Sequence, residues 1–265
     1  MNPLILFFEE IQDSHFDLVG GKAFSLGKLQ SLKQNIKVPE GFVLTTEFYK
    51  AFLELTGIKK EVYKIFGTID VTKTFDLQQK SEEIRALFYA SKFPQELVNI
   101  VLNPFYKLKS RFDDSFMVAV RSSATTEDLE VASFAGQFDT FLCVGDEDEL
   151  IGRIRGCLAG LFNARAISYR VGRKISEESV LLGIVIQRMI RADRGASGVM
   201  FSLDTETGFD KVVYINSIYG FGELLVGGKV NPDSIYVFKD TLLQGKRPII
   251  DKKCGFKQEK LIYCN

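Results

Sequence analysis

Apolar residues along this chain change their spacing partway through. In the first two thirds they recur every three or four positions. Ala23, Leu26, Leu29 and Leu32 form one such run, and Leu150, Ile151, Ile154, Cys157, Leu158, Leu161 and Phe162 form another. That spacing predicts helices over 22–33 and 148–170, with further helical patterns near 78–91 and 95–109. "KVPEGFVLTTEFYKAFL" reads as a turn, a short strand and a helix from about Thr46. Later the texture becomes that of strands, over 181–190, 197–202, 211–217, 234–239 and 260–264, with turn clusters such as "DTETGFD" and "LQGKRP" between several of them. A helix-rich first part and a strand-rich second part predict an α+β fold instead of a regular βαβ series. Candidate seams near 110 and 191–195 divide the chain into 1–110, helix-rich, then 111–190, then 191–265, strand-rich.

Composition narrows the class. The 265 residues are 46% hydrophobic and 26% charged, enough for a packed core. Lys+Arg and Asp+Glu stand at 34 each, so the basic excess of a general nucleic-acid binder is absent. Cys143, Cys157, Cys254 and Cys264 have no C-x-x-C spacing and read as reduced, mostly buried thiols. "MNPLILFFEEIQ" lacks the basic start of a signal peptide, and the longest apolar stretch, 179–190, is too short to cross a bilayer. The expected setting is the cytoplasm, away from membranes.

Three stretches carry candidate chemistry. Gly20-Gly21-Lys22 falls at a predicted helix start, where unpaired N–H groups and a lysine suit a phosphate; a plain turn with a surface lysine is the alternative. A Walker loop is excluded by spacing. In "VRSSATTEDLEVASFAGQFDT" a buried strand delivers Arg121 into a run of hydroxyls, Ser122, Ser123, Thr125, Thr126 and later Thr140, with Gly136 permitting close backbone approach. A guanidinium fork, hydroxyls and amides suit a polyphosphate. Thr125-x-x-Asp128 can equally be a capping box. In "GIVIQRMIRADRG", Gln187, Met189 and Ile190 end a strand whose backbone can meet a purine edge; a plain core strand is the other reading.

Taken in order, "GGKAFSLGKL", "VPEGFVLTTEFYKAF", "VAVRSSATTEDLEVASFAGQFDTFL", "LFNARAISYR", "QRMIRADRGASGVMFSLDTETG" and "YGFGELLVGGKVNPDSIYVFK" resemble the N-terminal nucleotide-binding domain of the pyruvate phosphate dikinase family. The wording "LDTETG" and "VNPDSIYVFK" is most similar to its phosphoenolpyruvate synthase (pyruvate, water dikinase) branch. The resemblance implies an ATP-grasp fold, two α+β lobes gripping Mg-ATP. It assigns Lys22 and Arg121 to the phosphates as the catalytic cations. It places Gly136 and Thr140 in the loop and strand closing over them, and Gln187, Met189 and Ile190 along the adenine.

The family passes a phosphoryl group to a histidine on a separate swivelling domain. The only histidine here, His15, does not match that motif and reads as a surface residue. The family's ATP-binding domain also continues past the position of Asn265, where its magnesium-binding glutamate lies, so no metal ligand is assigned here and an exposed sheet edge or apolar surface near 255–265 is expected, with association as a consequence. Glu223 in "GFGE" is a candidate for the same cleft or a helix-start acid. A non-catalytic nucleotide-binding module, an inactive fragment and the ATP domain of a rifampicin-type antibiotic phosphotransferase stay open as alternatives.

Overall fold

The computed structural model describes residues 2–32, 36–112, 116–125, 128–129, 132–133, 140–173, 175 and 180–263. The chain divides into two compact units, Met1–Met189 and Ile190–Asn265.

The first unit opens with β1 (Ile5–Phe7), α1 (Phe16–Ser31), β2 (Gly41–Leu44) and α2 (Thr46–Thr56). Then come α3 (Lys59–Phe66), α4 (Thr74–Ala90), α5 (Gln95–Lys109) and β3 (Val118–Ala124). A small ribbon, β4 (Asp128–Leu129) and β5 (Ala132–Ser133), is followed by β6 (Thr140–Val144), α6 (Glu147–Gly160), α7 (Ala164–Gly172) and β7 (Leu182–Arg188). Five strands pair in the order β1-β2-β7-β3-β6, each neighbour antiparallel. Residues from 1–110 and 111–190 thus interleave in one sheet.

Alternation along these strands sorts side chains to two faces. Val118, Val120 and Ala124 of β3, with Phe42, Leu44, Leu182, Ile184 and Ile186, enter the main core beneath α2 to α7. With no tryptophan in the chain, phenylalanines fill it. Phe52 stacks on Phe88 at 6.0 Å, and Phe88 meets Phe162 at 5.5 Å. Each such fully buried ring contributes about 1.5–3 kcal/mol. The opposite face carries Val43 and Val185, which pack against Leu18, Val19 and Ala23 of α1.

Helix ends follow from their caps. Asp146 accepts from the Glu149 amide at 2.8 Å and starts α6. Asn163 does the same for α7 through Ala166 at 2.7 Å, so the single helix expected over 148–170 is two. The apolar period runs through Leu161 and Phe162 because both are buried at the corner. α2 stops at Gly57, whose φ of 72° suits a left-handed cap.

The second unit is a four-stranded antiparallel sheet, ordered β11-β10-β9-β8. Its elements are β8 (Ala196–Phe201), β9 (Val212–Tyr219), α8 (Glu223–Val226), β10 (Asp233–Phe238), α9 (Lys239–Leu243) and β11 (Ile249–Lys253). The strand expected over 260–264 is reduced to a bridge between Gly220 and Leu261, while "IIDKK" supplies β11 instead. Asp233 anchors the following segment by accepting from the Gly255 amide at 2.9 Å and from the Lys257 ammonium. Phe256, 73% exposed, and Ile262 leave apolar surface on this segment. Cys254 is exposed, against the expectation of a buried thiol; Cys157 is buried and Cys143 partly so, while Cys264 lies outside the described residues. No helix among the described residues is long and apolar enough to cross a membrane.

Two predictions follow from this packing. Gly20 has φ 76° and a Cβ there would sit 2.1 Å from the Ser123 carbonyl oxygen, whereas Gly57, at φ 72°, has open space. Gly57→Ala should cost about 1–2 kcal/mol in urea unfolding, the left-handed penalty alone, and Gly20→Ala clearly more; equal losses would contradict close docking at Gly20. The Lys257 hydrogen bond, then the Gly255 amide, hold the Asp233 carboxyl below the ordinary carboxylate range. A depressed carboxyl stabilises the fold above its unfolded pKa of about 3.9 and loses that contribution as pH falls through its folded value. Lys257 is raised by the same bond, so its contribution holds below the unfolded lysine pKa of about 10.4 and is lost as pH rises beyond. Thermal unfolding against pH should show wild type more stable than Asp233→Asn at pH 6–8, with the margin closing below about pH 4.

Candidate functional site

The site is built where α1 lands on the sheet. Its helical path breaks at Gly20 (φ 76°, ψ 166°), so Gly21 and Lys22 begin a second helical segment. A side chain at Gly20 would collide with Ser123, and one at Gly183 would lie 2.4 Å from the Val19 carbonyl oxygen. Two glycines therefore let the helix break touch β3 and β7 directly. Ala23 donates its amide to Ser123 Oγ at 3.2 Å, and Lys22 Nζ donates to the Ser122 carbonyl at 3.0 Å. The expected helix start at Gly-Gly-Lys is thus an internal restart clamped to a strand.

That clamp defines which way Arg121 points. Ser123 faces α1, and Arg121, two residues back on the same strand, shares its face. Arg121 pairs across the ladder with Thr140 on one side and Val185 on the other. Directly opposed residues hold their Cβ atoms about 4.5–5.5 Å apart. Arg121 is half-buried and Thr140 exposed, so a guanidinium and a hydroxyl stand side by side where β6 begins; β3 itself runs on to Ala124, so Arg121 lies mid-strand and not at the strand end the sequence suggested. Lys22 reaches the peptide next to Arg121. Three of the seven candidates therefore converge, from α1, β3 and β6.

The hydroxyls of Ser123 and Thr125 serve the fold. Ser122 and Ser123 are buried, and Ser123 Oγ is engaged by Ala23. Thr125 ties its amide and hydroxyl to the Leu181 carbonyl at 3.0 and 3.3 Å and caps no helix. Thr140 is the described hydroxyl left at the surface beside Arg121. Gly136 and Thr126 lie outside the described residues.

Gln187 sits on the same face, opposite Ala119 and Gly41. It is only 8% exposed, and its Nε2 donates to the Pro39 carbonyl at 3.1 Å, locking the approach to β2. Met189 continues the pairing by donating its amide to the Met117 carbonyl at 2.9 Å, and its sulfur accepts from the Cys143 amide at 2.8 Å. Ile190, 53% exposed, opens the second unit, and its carbonyl accepts from Ala192. In that unit Arg191 grips Asp193 with two hydrogen bonds, 2.9 and 2.7 Å, which hold the carboxyl below its usual range. Glu223 begins the one-turn α8. His15 caps its own turn, its Nδ1 accepting from Gln12 at 3.2 Å.

Sequence reasoning named Ser123 as a donor to a ligand and missed that it receives the Ala23 amide; it did not single out Gly183 or, as anything beyond a thiol, Cys143. A glycine inside the apolar run "LLGIVIQ" was the available signal for close backbone approach. No comparable signal marks Cys143. Among the described residues no group of three His, Cys, Asp or Glu side chains could hold a metal ion. A hollow of about 310 Å³ beside Glu40, Gly41 and Arg111 contains none of the seven candidates.

Comparison with known proteins agrees with the motif order. The family model described as pyruvate phosphate dikinase, AMP/ATP-binding domain matches residues 16–265. Proteins named phosphoenolpyruvate synthase are similar along nearly the whole chain. The one from Helicobacter pylori is 45% identical over 98% of this chain and 32% of its own length. Those from Aquifex aeolicus and Escherichia coli are 42% and 39% identical over 98% and 99% of this chain, and 31% and 33% of theirs. The chain therefore spans about a third of the length of the relatives it matches. With a clamped Gly-Gly-Lys turn, an arginine at the adjacent strand and a family match over 250 residues, the chain belongs to the pyruvate phosphate dikinase AMP/ATP-binding domain family.

Proposed function

We propose that this chain binds ATP and supplies the phosphoryl-donating half of a phosphoenolpyruvate synthase-like dikinase. In such an enzyme ATP, pyruvate and water give phosphoenolpyruvate, AMP and phosphate, by way of a histidine on a separate domain. The observation that carries the reading is the convergence of Lys22, Arg121 and Thr140 on the middle of β3. Phosphoryl transfer asks little covalent chemistry of the protein; it needs the phosphates positioned and their charge neutralised. The bond from Lys22 Nζ to the Ser122 carbonyl holds the ammonium against the strand that carries Arg121. Arg121 adds a planar fork suited to two oxygens at once.

In this reading Gly136 belongs to the loop over the phosphates, and Met189 and Ile190 border the adenine. The Met189 amide is given to the Met117 carbonyl, so in this reading it is not the group that meets the purine edge. Gln187 acts one step back, by holding Pro39 and the start of β2. Magnesium enters with the nucleotide: it keeps waters and binds largely through phosphate oxygens. The described residues provide no three-ligand cage, so no step is assigned to a protein-held ion. The acceptor is a phosphohistidine domain, not a nucleic acid or a membrane.

Calorimetric titration with Mg-ATP tests the cradle. Lys22→Ala and Arg121→Ala should each weaken binding by about tenfold or more, and Thr140→Ala by about two- to fivefold. Unchanged affinity in both cation variants would remove the phosphate reading. Mixing the chain with a phosphohistidine domain of the family and labelled ATP should yield acid-labile label on that domain. Tight binding without transfer would identify a non-catalytic nucleotide module instead.

A further inference from the structure

The β3–β6 ladder is irregular at one place. Val118 pairs with Val144 and Val120 with Phe141, so Ala119 faces two residues, Leu142 and Cys143. Cys143 absorbs the extra length with φ 60°, the one positive φ at a non-glycine among the described residues. Side chains other than Asn and Asp rarely adopt that conformation, and when they do a constraint holds them there. The consequence is visible in the amide. It leaves the ladder and donates to Met189 Sδ at 2.8 Å. β3 lies between β6 and β7, so the Met189 side chain reaches across the line of β3 to the bulge. A thioether is a weak acceptor and a flexible side chain, so its place is set by the rigid backbone it meets. Bulges serve this purpose elsewhere, re-aiming one group beside a functional site.

We propose that Cys143 is a positioning residue for the nucleobase: its left-handed bulge fixes the Met189 thioether and thereby the apolar surface on which the purine ring rests. The proposal builds on the reading of Met189 as a purine contact. Its action runs through main-chain conformation. Cys143→Gly and Cys143→Asn accept the left-handed conformation and keep the amide in place. Cys143→Val does not, because a β-branched residue is refused there.

The full chain labelled with ¹³C-methyl methionine tests this. The sequence holds four methionines, so the Met189 methyl signal is assigned by its loss in Met189→Leu. Mg-ATP is titrated beside Mg-tripolyphosphate, which has the phosphates and no base. In wild type, Cys143→Gly and Cys143→Asn the Met189 signal should coincide and should move with ATP but not with tripolyphosphate. In Cys143→Val it should be displaced before any ligand is added, with ATP affinity down roughly tenfold and tripolyphosphate affinity unchanged. Should Cys143→Val not fold, Met189→Leu removes the sulfur from the other side and should show the same selective loss for ATP. A displaced Met189 signal with undiminished ATP affinity overturns the positioning role, as does a signal that Cys143→Val leaves in place. A wild-type Met189 signal indifferent to ATP sinks the purine reading itself, and is recognisable as that separate failure.

Discussion

The contact between the Gly20 turn and the backbone of Ser123 governs the rest of the first unit. Only a glycine can stand there: the conformation is left-handed and the space a Cβ needs is filled by a carbonyl. From that contact follow the bond from Ala23 to Ser123 and the bond from Lys22 to Ser122. The strand's alternation then orients Arg121, and the ladder sets Thr140 beside it. A substitution at Gly20 would act on the site without touching any residue that meets a ligand, because it would lift the helix restart from the strand that carries the arginine. Buried serines belong to the same logic. The Ser122 carbonyl accepts from the Lys22 ammonium, and Ser123 Oγ accepts from the Ala23 amide, so both fasten the helix restart to the strand.

Much of the fold was legible because amphipathic helices repeat their apolar residues over three or more turns. α2, α4 and α5 appear within a few residues of their expected positions. The elements that escaped are short or interrupted. β1 has three residues, too few for a period, and β11 begins just after a turn cluster with "II" as its only apolar signal. The corner at Leu161–Asn163 hides inside a continuous helical pattern because its apolar residues are buried as deeply as those in the helices.

The site was legible by residue type and opaque in arrangement. Glycines before a lysine, and an arginine leading into a run of hydroxyls, are the residue types on which the proposed phosphate chemistry rests. Nothing in the spacing says that residues 22, 121 and 140 meet, because that depends on pairing between distant strands. The run of hydroxyls after Arg121 illustrates the opposite error. Ser122, Ser123 and Thr125 look like donors to a ligand in sequence, yet the described ones among them are buried or tied to Ala23 and Leu181. Gln187 likewise supports β2 through Pro39 and does not reach out.

The most direct measurement is a structure of this chain with magnesium and a non-hydrolysable ATP analogue. The account predicts phosphate oxygens within about 3 Å of both Lys22 Nζ and the Arg121 guanidinium, with Thr140 bordering the same group. Phosphates seated elsewhere, with Lys22 holding only the Ser122 carbonyl, would contradict it.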